Sequence, residues 1–105
     1  MAVIRVRGKR LTVSGDVGYA GADEFSKACQ DFMTGAGSRG GTIDLGLIQE
    51  LVSICLAAIY DSARRHGPTE LTLIVPERLA LLFALGEVEG LFSVKPATVG
   101  APKDK

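Results

Sequence analysis

One histidine, two cysteines, and scattered hydroxyls and carboxylates are the side chains with which this 105-residue chain could do chemistry. His66 follows Arg64 and Arg65 and precedes Gly67-Pro68, which reads as the C-terminus of a helix. A cation suits the negative end of the helix dipole there, and no serine or cysteine nucleophile can be placed beside it. Cys29 and Cys55 each fall inside an apolar helical pattern, where a free thiol behaves as a small hydrophobe. No CxxC is present, and Cys29, Cys55 and His66 are too widely separated for the clustered ligands of a metal site. Glu87 and Glu89, with Glu77 nearby, have the look of paired carboxylates but fall in and around a surface loop, where solvation accounts for them. The glycine-rich stretch 35–41, GAGSRGG, lacks the lysine and following hydroxyl of a phosphate-binding loop and reads as a connection. These residues imply no catalytic group, no metal and no cofactor, and therefore not an enzyme.

Composition bounds the class. The chain is 47% hydrophobic and 23% charged, a globular balance, and long enough for one core. Twelve basic and twelve acidic residues cancel, so the electrostatic footprint of a nucleic-acid binder is absent. Arg5, Arg7, Lys9 and Arg10 cluster on one hairpin and read as a solvated face. Two isolated thiols suit a reducing, cytoplasmic setting. The opening MAVIRVRGKR carries charges too early for a signal peptide, and no apolar run approaches a membrane span.

The elements that must position any site follow from periodicity. Val3 to Val6 and Leu11 to Ser14 alternate around Gly8-Lys9, an antiparallel hairpin. GDVGYAG, residues 15–21, breaks the pattern. Phe25, Ala28, Cys29 and Phe32 then share one helical face, which ends before Gly35. Thr42 to Leu45 reads as a short strand and Gly46 as a turn. A broad apolar helix follows from Leu47 to His66, with Leu51, Ile54, Cys55, Ala58 and Ile59 assigned to the core. A helix apolar over so much of its circumference cannot be covered all round in a small domain. Val52 and Leu56, with the edge of Ile59, are expected near the surface as a partner strip. Leu71 to Val75 is a strand with both faces covered. Pro76 opens a helix facing inward at Leu79, Leu82 and Phe83, with Leu81 and Leu85 partly exposed and Gly86 as its end. Leu91 to Val94 is the last strand. Residues 1–94 form one domain, and 95–105 a disordered tail. Alternation of strands with helices implies an α/β fold: a mixed, mostly parallel sheet of about five strands with helices mainly on one face.

Three stretches in this order resemble the STAS domain, the fold of bacterial anti-sigma factor antagonists. LTVSGDV, residues 11–17, looks like the family's strand-Gly-acid opening. TIDLG, residues 42–46, looks like its central strand. LTLIVPERLALLFALGEVEGLFSV, residues 71–94, looks like its ending. The resemblance implies a signalling module that regulates transcription through a protein partner, a kinase-type anti-sigma factor or similar ATPase. That partner phosphorylates a Ser or Thr entering the second helix, within Asp-Ser-Ser-Gly-Leu or Asp-Thr-x-Gly-Leu, and so makes the module let go. Here QELVSIC offers neither the Asp nor the Gly, and Ser53 is the one hydroxyl between Thr42 and Tyr60. A helix beginning near Leu47 would hold Ser53 inside it, with poorer access for a kinase. The favoured expectation is a partner-binding surface of Asp44, Gly46, Leu47, Gln49, Glu50, Val52, Ser53 and Leu56 that works without the phosphoserine switch. Alternatives are a STAS subunit clamping the ATPase of a lipid-transport complex and a homo-oligomeric scaffold, a homodimer through Val52 and Leu56. Neither nucleic acid nor membrane insertion is expected.

Overall fold

The structure is a computed structural model that describes residues 2–35, 40–65 and 70–97. Residues 36–39 of the glycine-rich stretch, His66 and residues 98–105 of the predicted tail lie outside the described residues.

Among the described residues, five strands and three helices alternate after an initial hairpin: β1 (Ala2–Arg7), β2 (Arg10–Val17), α1 (Ala22–Thr34), β3 (Thr42–Leu51), α2 (Ser53–Arg65), β4 (Thr72–Val75), α3 (Ala84–Val88) and β5 (Ser93–Pro96). The strands lie in sequence order across one sheet, with β1 antiparallel to β2 and all later pairs parallel. The fold is α/β with a mixed, mostly parallel sheet, as the alternation predicts. Leu11, Val13, Ile43, Leu45, Leu73 and Val75 point to one face and are buried under Phe25, Cys29, Phe32, Met33, Cys55 and Ile59 of the helices. Residues of the opposite parity, such as Thr12, Asp44 and Ile74, are half-buried on a face that carries no helix among the described residues. β4 therefore has one open face, where its near-continuous apolar run suggests two covered ones.

The main departure from expectation concerns β3. It does not turn at Gly46. It runs ten residues to Leu51, and α2 begins at Ser53. The register explains the misreading. From Thr12↔Asp44 to Ser14↔Leu47, β2 advances two residues while β3 advances three; from Gly15↔Ile48 to Asp16↔Glu50, it advances one against two. Two bulges thus stretch the inward intervals Leu45 to Ile48 and Ile48 to Leu51 from two residues to three, a helix-like interval. Beyond Asp44, β3 has no ladder with β4. Arg78 substitutes for one, donating to the carbonyls of Ile48 at 2.9 Å and Gln49 at 2.8 Å.

Smaller corrections have similar causes. β2 continues to Val17 through Gly15, the first of the glycines that suggest a break. Residues Glu77–Phe83 form a 3₁₀ segment before the short α3, so the side-chain faces predicted for one α-helix rotate. Phe83 is buried, whereas Leu82 joins Leu81 and Leu85 at the surface. Gly86 does not end the helix. It lies inside α3 beneath Phe92, where a β-carbon would sit 2.1 Å from the ring. Lys95 and Pro96 belong to β5, and Ala97 N–H donates to Val75 O at 2.8 Å, so order extends past the predicted boundary at residue 94.

Candidate functional site

The chain enters α2 through Val52, whose carbonyl accepts from Cys55 N–H at 2.9 Å and Leu56 N–H at 3.2 Å. Val52 offers no side-chain oxygen to cap the helix. Ser53 is the first helical residue, exposed, at the positive end of the dipole. This overturns the expectation that Ser53 is held inside a helix. Ile54, assigned to the core from the longer helix, is 52% exposed. Cys55 and Ile59 are fully buried, which removes Ile59 from the surface strip, while Val52 and Leu56 keep part of their surface. Leu51 and Ala58 are half-buried rather than interior.

From Ser53 a groove of about 390 Å³ runs between α2 and the segment 77–88, lined by Leu56, Ala57, Tyr60, Leu82 and Leu85 and bordered by Asp61 and Arg64. Hydrogen bonds and ring packing fix its floor. Tyr60 is buried, its hydroxyl donates to Leu82 O at 2.9 Å and accepts from Gly86 N–H at 3.1 Å. Its ring meets those of Phe83 and Phe92 at centroid distances of 6.3 and 5.5 Å. Arg64 lies over the outer face of the ring, 5.3 Å from its centroid, and pairs with Glu89 at 3.3 Å. Leu85 on the far wall is 57% exposed, and Leu81 and Val88 of the same segment are 87% and 83% exposed, an unusual density of large apolar side chains in water.

The residues predicted as one partner surface fall into two places. Ser53 and Leu56 line the groove. Asp44, Gly46 and Leu47 instead border a depression on the helix-free sheet face. Gln49 and Glu50 are exposed at the end of β3 between these regions. Tyr60, Leu82 and Leu85 were missed as groove residues. An apolar residue repeated on two faces of a short helix, as Leu81, Leu82 and Leu85 are, is the signal that could have found them.

No catalytic constellation assembles among the described residues. Cys29 and Cys55 are free and buried. Burial, with a smaller contribution from Cys55, pushes the Cys29 thiol up to about 12, and burial pushes Cys55 up as well. Both are held as neutral thiols, the unreactive form. Glu87 accepts from Val94 N–H at 3.2 Å and Glu89 pairs with Arg64, so these carboxylates are parts of the packing around α3. Among the described residues no cluster of His, Cys, Asp or Glu could hold a metal, and no helix is long and apolar enough to cross a membrane. No protein-family model and no curated protein matches the chain.

Proposed function

We propose that the protein is a regulatory protein–protein interaction module of the anti-sigma factor antagonist kind, binding a kinase-type anti-sigma factor or similar ATPase in the cytoplasm. One observation carries the reading: a preformed apolar groove beside exposed leucines, starting at the N-terminus of α2, on a mixed, mostly parallel five-stranded sheet. An interface core of this sort needs apolar and aromatic surface within a polar rim, and Asp61 and Arg64 supply that rim. The two buried free thiols suit a reducing compartment.

The placement of Ser53 favours a second reading of the control. An exposed hydroxyl at the first residue of α2 is accessible to a kinase. A phosphate there would add nearly two negative charges at the mouth of an apolar groove and oppose docking through desolvation. The family's Asp and Gly remain absent, with Val52 and Cys55 around the serine, so docking itself does not require the modification.

The deciding experiment is affinity capture from the native organism with the wild-type chain and with Leu85→Lys. The wild type is expected to retain a histidine-kinase-like ATPase that the variant does not. Equal retention by both, or capture of unrelated proteins alone, would sink the reading. Mass spectrometry of the wild type after incubation with that ATPase and ATP then shows whether Ser53 carries a phosphate.

A further inference from the structure

The face of the sheet that carries no helix among the described residues has a charge pattern that the groove at Ser53 does not explain. The strand registers align Arg5, Thr12, Asp44, Ile74 and Lys95 in one row across it, and Arg7, Arg10, Thr42, Thr72 and Ser93 in the next. Four cations and one carboxylate thus share two rows in a chain of zero net charge. A cavity of about 360 Å³ opens here, with Arg10, Asp44, Ile74 and Lys95 around it and Gly46 and Ala97 at one side.

Asp44 does not make this cavity hostile to anions. Its Oδ1 accepts from Gly46 N–H at 2.9 Å and its Oδ2 pairs with Arg10. The carboxylate is engaged on both oxygens and acts as a brace that fixes the guanidinium at the cavity wall. Arg10 remains half-exposed, with donors to spare. Lys95 makes no ion pair among the described residues. β2 and β5 lie three strand spacings apart, roughly 14 Å. The long side chains of Arg10 and Lys95 therefore approach from opposite sides over the apolar surface of Ile74. Gly46 is needed bare: a β-carbon there would press on Ala97 and Asp44, each at 3.1 Å, and disturb both the brace and the cavity wall.

We propose that this cavity binds a small phosphate-bearing molecule, its phosphate held between Lys95 and Arg10 and a short apolar body resting on Ile74. A guanidinium fork and a mobile ammonium together suit a multi-oxygen dianion. Neighbouring Arg5 and Arg7 raise the local potential further. The volume lies at the small end of ligand sites, which limits the occupant to a compact molecule or one headgroup. The two rows contain no aromatic ring, so the platform for stacking nucleic-acid bases is missing.

The test is an NMR titration of the full chain with inorganic phosphate and, separately, with glycerol 3-phosphate. Saturable shifts are expected at Asp44, Ile74 and Lys95, tighter for the ester. Lys95→Gln is expected to weaken binding about tenfold or more, the scale of one charge-assisted contact, while Lys9→Gln in the hairpin turn changes it little. Lys95 is exposed at the sheet edge, and an unchanged melting temperature will certify the folded variant. Co-sedimentation with phosphatidylcholine vesicles carrying phosphatidic acid separates the sources. Sedimentation that Lys95→Gln abolishes assigns the phosphate to a lipid headgroup; its absence alongside soluble binding assigns it to a free metabolite. No saturable shift with either soluble probe and no sedimentation, or equal affinity in Lys95→Gln, would overturn the site. None of these outcomes depends on the groove at Ser53.

Discussion

The backbone N–H of Gly86 donates to the Tyr60 hydroxyl at 3.1 Å, so a single phenol fastens α3 to α2. The same hydroxyl donates to Leu82 O, and both bonds lie beneath the groove that starts at Ser53. Tyr60→Phe keeps the ring packing but strands a buried amide and a carbonyl. It is expected to cost about 1–3 kcal/mol. Gly86→Ala drives a methyl into Phe92 and is expected to cost a similar amount, about 1–3 kcal/mol, by overpacking. Urea unfolding measures both. An unchanged midpoint for Gly86→Ala would refute the close approach. The double variant should cost less than the sum, because both changes loosen the same contact.

Much of this architecture is legible in the sequence. The hairpin, α1 and the inward set of β4 follow from simple alternation and a single apolar face. The misleading part is β3 and its junction with α2. The bulges of β3 give Leu45, Ile48 and Leu51 spacings that imitate a helix, and these merge with the true helical pattern of α2. Bulges depend on pairing with β2, which periodicity within one segment does not encode. The 3₁₀ turn at Glu77–Phe83 is hidden for a related reason: three residues per turn instead of 3.6 rotates Leu82 outward without changing composition. The site suffers accordingly. Ser53 is found, but its access depends on where α2 begins, and Tyr60 is masked by its polar oxygen.

Ser62 on α2 is buried, and its Oγ has no hydrogen-bond partner among the described residues. Removing an unpaired buried hydroxyl should relieve desolvation without opening much of a void. Ser62→Ala is expected to raise stability by up to about 1 kcal/mol, read as a higher urea midpoint with unchanged slope. A clear loss of stability would mean that the hydroxyl has a partner.

The buried thiols make a pH prediction. The unfolded chain releases the Cys29 proton near its ordinary value of 9.0, whereas the folded chain holds it to about 12. Above pH 9 the folded state therefore binds more protons than the unfolded one, and stability falls as pH rises. Below that value the contribution is fully present. Unfolding free energy should decline from pH 9 towards 12, and Cys29→Ala should flatten the decline relative to wild type at each pH. The same burial predicts that iodoacetamide at neutral pH labels neither cysteine until denaturant is added. Prompt labelling of the native chain would contradict the packing of α1 on α2.

Leu85 is 57% exposed and lines the groove without supporting the core. Leu85→Lys should therefore leave the melting temperature within about 0.5 kcal/mol equivalent of wild type. Docking should nevertheless be lost, since a charge at the centre of an interface must be desolvated. If wild type self-associates, light scattering at two concentrations will show it, and Leu85→Lys should then return the chain to monomer. Loss of folding in this variant would show instead that the leucine is structural.

Ser53 supplies the sharpest check on where α2 starts. At the first helical residue, the amides of the opening turn present positive potential, so a carboxylate is favoured and an ammonium is not. Ser53→Asp should stabilise by about 0.3–1 kcal/mol and Ser53→Lys destabilise by about as much, with the difference shrinking at high salt. A helix running from Leu47 would place residue 53 in its second turn, where this asymmetry largely vanishes. The same electrostatics bear on regulation. If Ser53→Asp stabilises the isolated domain yet weakens capture of the partner, negative charge acts at the groove and not on the fold. That is the separation a phosphate at this position would need in order to release a partner while leaving the module intact.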